Sequence, residues 1–356
     1  MGIDVNYRQL QLARESRGYT QTNLAKSISG LSQSNLSKME KGLLPIGPEV
    51  LSCIAKKLQY PIEFFYKKSQ LTPVGSLHYR KRLSLSKSAL MLIESKRDIV
   101  RMIVDDLSQS VEIKECTIPH ISVTDSMTPN DIAFRIRQYM QIPKGPIQNL
   151  ISHLEDMGII VYEMEFNTDK LMGFTVYTDT CQPIIFINVS MPNDRKRFTL
   201  GHELGHIVMH LNIDTNDDDK EIEHQADAFA SEFLMPILDC IEDIRYFRIK
   251  RLDELKAYWK VSKAAIIKRA LTAKVITEDK YKYFMIELSR MGERKTERGF
   301  VPLDKPTLLR QMVEMHINEL NYTKTELAQI LGLSESDCDS YLYMNASPRR
   351  LQLRLG

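Results

Sequence analysis

Cysteine is scarce: there are five in 356 residues, Cys53, Cys116, Cys181, Cys240 and Cys338, and none is spaced as a pair. An odd, dispersed set excludes a disulfide framework and a thiolate metal site, and leaves reduced thiols that mostly fill core. No apolar run approaches the roughly 18 residues that a spanning helix needs. The start, Met1-Gly2-Ile3-Asp4-Val5-Asn6, has no basic-then-apolar leader, and Asn6 stands where a myristoylation signal has Ser or Thr. These absences exclude disulfide-stapled and membrane-spanning classes, so the expected location is cytoplasmic. Net charge is also small, +2, but it is unevenly spread. Residues 1–70 carry ten Lys/Arg against five acids, giving +5; residues 71–110 add +3, which leaves −6 for the remainder. A basic front on an acidic body is expected to meet phosphate at the front only.

With 43% hydrophobic and 26% charged residues, the chain reads as a soluble globular protein long enough for two or three domains. The pattern predicts a mainly α fold with a small β-sheet (α+β). The expected division is a five-helix bundle over 1–68, a basic helical connector over 69–115, a core over 116–246, and helical segments over 247–300 and 301–356.

From Asn6 to Tyr66 the chain reads as short helices. A first helix carries Leu10, Leu12 and Ala13 and stops near Gly18. Thr20 caps a second, 21–28, and Ser29-Gly30-Leu31 turns the chain. Ser32 opens a third, 32–41, closed by Gly42; Pro48 starts a fourth through Leu58, and Pro61 begins a last turn with Phe64 and Phe65. Helix, tight glycine turn, helix is a DNA-reading arrangement; a bundle used only for protein contacts is the alternative. The run Arg17 to Ala25, with Leu31 to Gly42, resembles the lambda-repressor/Xre type of helix-turn-helix across the first 66 residues. The resemblance implies a double-stranded DNA operator, with Gln33, Ser34, Asn35 and Lys38 meeting bases and phosphates while Gln21 and Thr22 fix the backbone. It also implies a possible homodimer on a symmetric site. Beyond Pro73 and Gly75, Tyr79-Arg80-Lys81-Arg82 leads into a helix over 87–107. That helix is expected to be a solvated linker, with extra phosphate contacts as the alternative.

Helices are predicted over 129–140 and 146–157, and strands over 158–166, 171–177 and 183–189. The stretch Ile185 to Val189 is expected to offer an exposed edge to an extended substrate peptide. Met191-Pro192-Asn193-Asp194 then opens a helix, with Asn193 or Asp194 as its cap.

That helix carries His202-Glu203-Leu204-Gly205-His206. Histidines four apart project from one side about a turn apart, so both can reach one tetrahedral cation, and Glu203 can act as base on a metal-bound water. Downstream, a helix from Glu221 to Met235 ends at Pro236, with Glu223 and Asp227 one turn apart. A carboxylate there can complete a His-His-Glu site, and Asp227 can hold the free nitrogen of a ligand imidazole. Glu221 and Glu232 are rivals, but Glu232 lies half a helical circumference from Glu223. The run Arg197 to His210, followed by Glu223-xxx-Asp227-xx-Ala230-xx-Phe233-Leu234-Met235-Pro236, resembles the ImmA/IrrE family of zinc metallopeptidases, whose members clip helix-turn-helix repressors. The resemblance covers roughly 150–275. It implies a zincin-like core, Zn2+ on His202, His206 and Glu223, Glu203 as catalytic base, and a helix-turn-helix repressor protein, or the chain itself, as substrate. A transcription factor with a structural or sensory zinc site is the alternative. His210 lies too far along the helix to share the ion and reads as an outer or capping group, and His224 reads as exposed. Tyr162, Tyr177 and the tyrosines around Tyr281 are candidates for polarising a scissile carbonyl.

After Pro236 the stretch Leu252 to Leu271 repeats the helix-turn-helix rhythm, as does the segment after the family's peptidase core. Asn321 to Gln329 echoes Gly18 to Lys26, with Gly332-Leu333-Ser334 as the turn, but Glu335 to Asp339 are too acidic for DNA. This copy is expected to pack against protein, with imitation of a repressor in the cleft as a further reading.

Overall fold

A computed structural model describes residues 5–68, 85–210, 219–246, 248–294 and 296–342. The opening helices are α1 (Tyr7–Ser16), capped by the Asn6 side chain, α2 (Gln21–Lys26) and α3 (Gln33–Glu40), capped by hydroxyls, and α4 (Pro48–Leu58), which starts on Gly47 and Pro48 without a side-chain cap. Thr20 Oγ1 accepts from the Asn23 amide and Ser32 Oγ from the Asn35 amide, each at 3.1 Å, satisfying donors that a helix start leaves open. The fifth element, Ile62–Tyr66, is a 3-10 turn that buries Phe64 and Phe65 beneath the bundle.

The next helix, α5 (Lys87–Leu107), is not the expected solvated linker. Ile93, Ile99, Val100, Ile103, Val104 and Leu107 are buried in one cluster with the bundle and one face of the sheet. Even its Arg97 and Arg101 are buried, beside Asp98 and Asp179. Gln9 of α1 donates to Met102 Sδ at 3.5 Å. The basic run from Tyr79 to Arg82 lies outside the described residues.

The sheet comprises β1 (Ile160–Met164), β2 (Gly173–Tyr177) and β3 (Pro183–Asn188) in the order β1-β3-β2. β1 runs parallel to β3 with Ile160 opposite Ile184, and β2 antiparallel with Phe174 opposite Phe186. β3 is therefore the central strand, and the expected edge at Ile185–Val189 is wrong from Ile185 to Asn188, all paired and buried. The reason is that β3 is apolar on both faces: Ile184 and Phe186 join the cluster with α5, while Ile185 and Ile187 join a second cluster. The edge over the histidine helix is β2.

The second cluster gathers α6 (Pro129–Tyr139), α7 (Leu150–Asp156), α8 (Asn193–Met209), α9 (Asp219–Leu234), α10 (Ile237–Ile244), α11 (Leu252–Trp259), α12 (Lys263–Thr272) and α13 (Glu278–Arg290). α7 starts later than the expected 146, where the Asp304 carboxylate accepts the Ile151 and Ser152 amides at 3.1 and 2.7 Å. Neither Asn193 nor Asp194 caps α8: Pro192 precedes it, Asn193 donates to the Val301 carbonyl at 2.8 Å, and Asp194 takes Lys256 Nζ at 2.7 Å.

The C-terminal helices α14 (Leu308–Asn318), α15 (Lys324–Leu331) and α16 (Glu335–Leu342) pack on the α5 side of the sheet. Asp337 takes Arg17 of the bundle through two bonds of 2.8 and 2.7 Å, and Tyr162 of β1 donates to the Tyr341 carbonyl at 3.0 Å. The echo segment thus packs against protein, but the sheet separates it from the histidine helix, so it is no repressor mimic in that cleft.

One carboxylate here makes stability depend on pH. Asp105 accepts the Asp179 amide at 3.1 Å, and burial, then the charge of Asp179, push its carboxyl up to about 6. A folded-state value above 3.8 means that stability is lost as pH rises from about 4 through 6. Asp105→Asn keeps the acceptor and removes the charge. It is expected to stabilise by on the order of 1–2 kcal/mol at pH 8 and by nothing near pH 4, read as the shift in thermal midpoint. Equal shifts at both pH values would refute this origin.

Candidate metal centre and nucleic-acid interface

α8 and α9 meet along small residues. A Cβ on Gly201 would lie 3.4 Å from Ala230 Cβ, and one on Gly205 would lie 3.1 Å from the Phe229 ring. That close approach brings the α9 carboxylates over the α8 imidazoles. One ligand atom each from His202, His206 and Glu223 lie within 4.8 Å of one another. His202 Nε2 is 3.0 Å from His206 Nε2 and 3.3 Å from Glu223 Oε2, and His206 Nε2 is 3.5 Å from Glu223 Oε1. Donors about 2.05 Å from a tetrahedral centre stand about 3.3 Å apart, so the triangle has the dimensions of a zinc site.

The electrostatics agree with that geometry. Burial works against a charged His202 ring, but Asp227 and Glu223 outweigh it and lift the ring to about 10. Burial likewise opposes ionisation of Glu223, yet hydrogen bonds from both histidines hold it well below the usual carboxylate range. Two negative groups facing two imidazoles is a cavity charged for a cation. Asp227 Oδ1 lies 2.8 Å from His202 Nδ1, leaving Nε2 for the shared centre. His210 ends α8 with its Nδ1 at 3.0 Å from His206 Nδ1 and its Nε2 at 3.0 Å from Gln225 Oε1. Burial pushes His210 down to about 4, so it meets its neighbours as a neutral ring near pH 7.

The rivals for the third position are engaged elsewhere. Glu232 is buried, lies 3.0 Å from Arg269 and accepts the Ile237 amide at 3.1 Å. Glu221 is exposed and accepts from Gln225 at 3.2 Å. Glu203 points to the sheet side, where Thr175 Oγ1 donates to its Oε2 at 2.7 Å. Sequence reasoning missed Thr175, because nothing in Gly-Phe-Thr-Val-Tyr says which face meets the histidine helix. Gly173 shares that face, and a Cβ there would stand 2.5 Å from Thr199 Cγ2 and 2.7 Å from the Phe186 carbonyl, so only glycine lets β2 lie so close to α8. Of the tyrosines, Tyr162 faces the opposite cluster and Tyr281 sits under Lys268 Nζ, 5.5 Å from its ring centroid. Tyr177 follows Thr175 on the same face; burial first, then Cys116 and Glu203, push its phenol upward.

In the opening bundle, Gln33, Ser34, Asn35 and Lys38 are exposed along α3, and Thr22 is exposed on α2. Gln33 Nε2 donates to Gln21 Oε1 at 2.9 Å, Gln21 Nε2 to Glu40 Oε2 at 2.7 Å, and Arg14 Nη2 to the same oxygen at 3.0 Å. A buried ion pair thereby orients the amides at the starts of α2 and α3.

The fold and this site define two kinds of domain in one chain, a DNA-binding helix-turn-helix and a metallopeptidase-type enzyme. Residues 10–65 match the family model described as helix-turn-helix, and residues 154–271 match that of the M78 peptidases, the IrrE N-terminal-like domain. The chain therefore joins an Xre-type helix-turn-helix to an IrrE-type peptidase domain that reaches into α12. No curated protein and no solved structure matches it.

Proposed function

We propose that the chain is a DNA-binding transcriptional regulator whose second half is a zinc-dependent endopeptidase, cleaving a helix-turn-helix repressor-type protein or the chain itself. The observation that carries it is the triangle of His202, His206 and Glu223 with Glu203 beside it. Three protein donors are a catalytic set, since a structural site fills its fourth position with protein. A zinc ion held there would bring the pKa of a bound water to about 7 and polarise a carbonyl. Glu203, oriented by Thr175, takes the proton of the attacking water and passes it to the leaving amine. Asp227 keeps His202 in the tautomer that offers Nε2, and His210 does the same for His206.

The outer edge of β2 is where a substrate strand would lie. The bonds from the Asn188 amide to the Met172 carbonyl and from the Thr178 amide to the Gln182 carbonyl put positions 172 and 178 in register with β3. The amide and carbonyl groups of Gly173, Thr175 and Tyr177 then face outward, with Thr175 next to Glu203. At the other end of the chain, Gln33, Ser34, Asn35 and Lys38 read an operator while Gln21 and Thr22 hold the phosphate backbone, the protein binding as a pair on a symmetric site.

Incubating the zinc-loaded protein with Xre-type repressors tests this reading. Fragments seen by mass spectrometry with zinc and lost with chelator are expected. Operator binding by an intact chain that cuts no repressor, itself included, would favour a regulator with a structural or sensory ion instead.

A further inference from the structure

A cavity of about 760 Å³ opens between α8, α9 and α12 beside the histidine pair. Its near wall is Asp227, which holds His202 Nδ1 at 2.8 Å, and Phe198, whose ring centroid is 6.5 Å from that of His202. Its far wall is one face of α12, where Ala264 and Ala265 are half-buried while Ile266 and Ile267 on the other side are fully buried in core. Ala264 and Ala265 leave a void there that larger side chains would fill, with Lys268, Arg269 and Thr272 lining the rest of that face. Leu234 closes the floor, and Met172, 46% exposed, stands at the mouth.

We infer that this cavity is the specificity pocket of the peptidase and takes one bulky apolar side chain of the substrate within three residues of the cut bond. The inference rests on the metallopeptidase reading. Continuity with the site carries it. A peptide on the β2 edge with its scissile carbonyl at Glu203 lies alongside Thr175. Three residues further, at about 3.3 Å each, it has travelled about 10 Å and reaches Met172. The volume is within the range of pockets that enclose a ligand, and although Asp194, Arg195, Lys268 and Arg269 are among the lining residues, most of the surface presented to the cavity is apolar, so an aromatic or branched side chain loses most of its water there and a small one does not.

Two measurements test this. Cut sites of wild-type protein and of Ala265→Trp, both at full zinc occupancy by metal analysis, are mapped on a peptide library from a denatured proteome. Wild type is expected to require Phe, Tyr, Leu or Met at one position within three residues of the cut. Ala265→Trp is expected to lose about 100-fold on those peptides and to shift to Ala, Ser or Val. In parallel, labelled decapeptides with Phe or Ala stepped through each position are titrated against zinc-loaded Glu203→Gln. A tenfold or larger preference for Phe at one position is expected, abolished when Ala265→Trp is added. Ala264→Phe serves where Ala265→Trp misfolds by circular dichroism. An unchanged cut profile in both filled variants, or binding indifferent to Phe against Ala, overturns the pocket while leaving the peptidase standing. A binding preference that the filled variant abolishes, with no cleavage by wild type at any zinc level, supports the pocket and sinks the peptidase reading.

Discussion

Glu203→Gln is expected to lower the rate of peptide cleavage by about 10³-fold or more with no loss of bound zinc. The size follows from the proposed role: a positioned general base contributes about 10²–10⁴, and in that role the same carboxylate would also return the proton to the leaving amine. Glutamine has the same shape, and its carbonyl oxygen can still accept from Thr175 Oγ1, which reaches Glu203 at 2.7 Å. The buried environment is therefore kept, and Glu203 is not among the three grouped ligands. A fold or metal effect should be absent, so thermal midpoint and zinc content serve as controls while initial rates on a cleaved repressor are measured. Undiminished turnover would remove Glu203 from the chemistry.

How much of this could be read from residues depends on how local the determinant is. The histidine pair was legible because a spacing of four on a helix places two side chains on one face whatever surrounds it. Glu223 was legible in kind but not alone, since Glu221 and Glu232 share its helix. What separates them is tertiary: Arg269 and the Ile237 amide draw Glu232 away. The opening bundle, with its hydroxyl caps and glycine turn, announced itself locally. Strand order did not. Pro183 to Asn188 is an apolar run, and such a run fits a buried edge and a two-faced central strand equally; only the partners on each side decide it. Lys87–Leu107 differed for a related reason: the basic run Tyr79 to Arg82 ahead of it set the expectation of a solvated linker, whereas the helix's own Arg97 and Arg101 are buried beside Asp98 and Asp179. The echo near the C-terminus was visible in the chain, but Asp337 meeting Arg17, 320 positions away, was not.

Glu223→Ala is expected to abolish most of the stabilisation that zinc confers on the wild-type protein. Ligand bound only to the folded state stabilises by RT ln(1 + [L]/Kd), about 4 kcal/mol at a thousandfold excess over Kd. Loss of an outer partner of a metal ligand typically weakens binding 10–100-fold, and loss of a direct ligand should exceed that, so at least about 2.7 kcal/mol of the increment should vanish. Asp227 cannot replace the missing carboxylate without releasing His202 Nδ1, which it holds at 2.8 Å. Zinc titrations followed by the thermal midpoint should therefore show an upward shift of several degrees for wild type and little for Glu223→Ala. Glu221→Ala and Glu232→Gln serve as comparisons. The first should keep the full shift, because Glu221 is exposed and turned to Gln225. The second should lower the midpoint with or without zinc, since it disturbs a buried pair with Arg269, yet should leave the zinc-induced shift in place. Zinc-induced shifts that survive in Glu223→Ala and disappear in Glu232→Gln would reassign the third ligand, and with it the geometry on which cleavage depends.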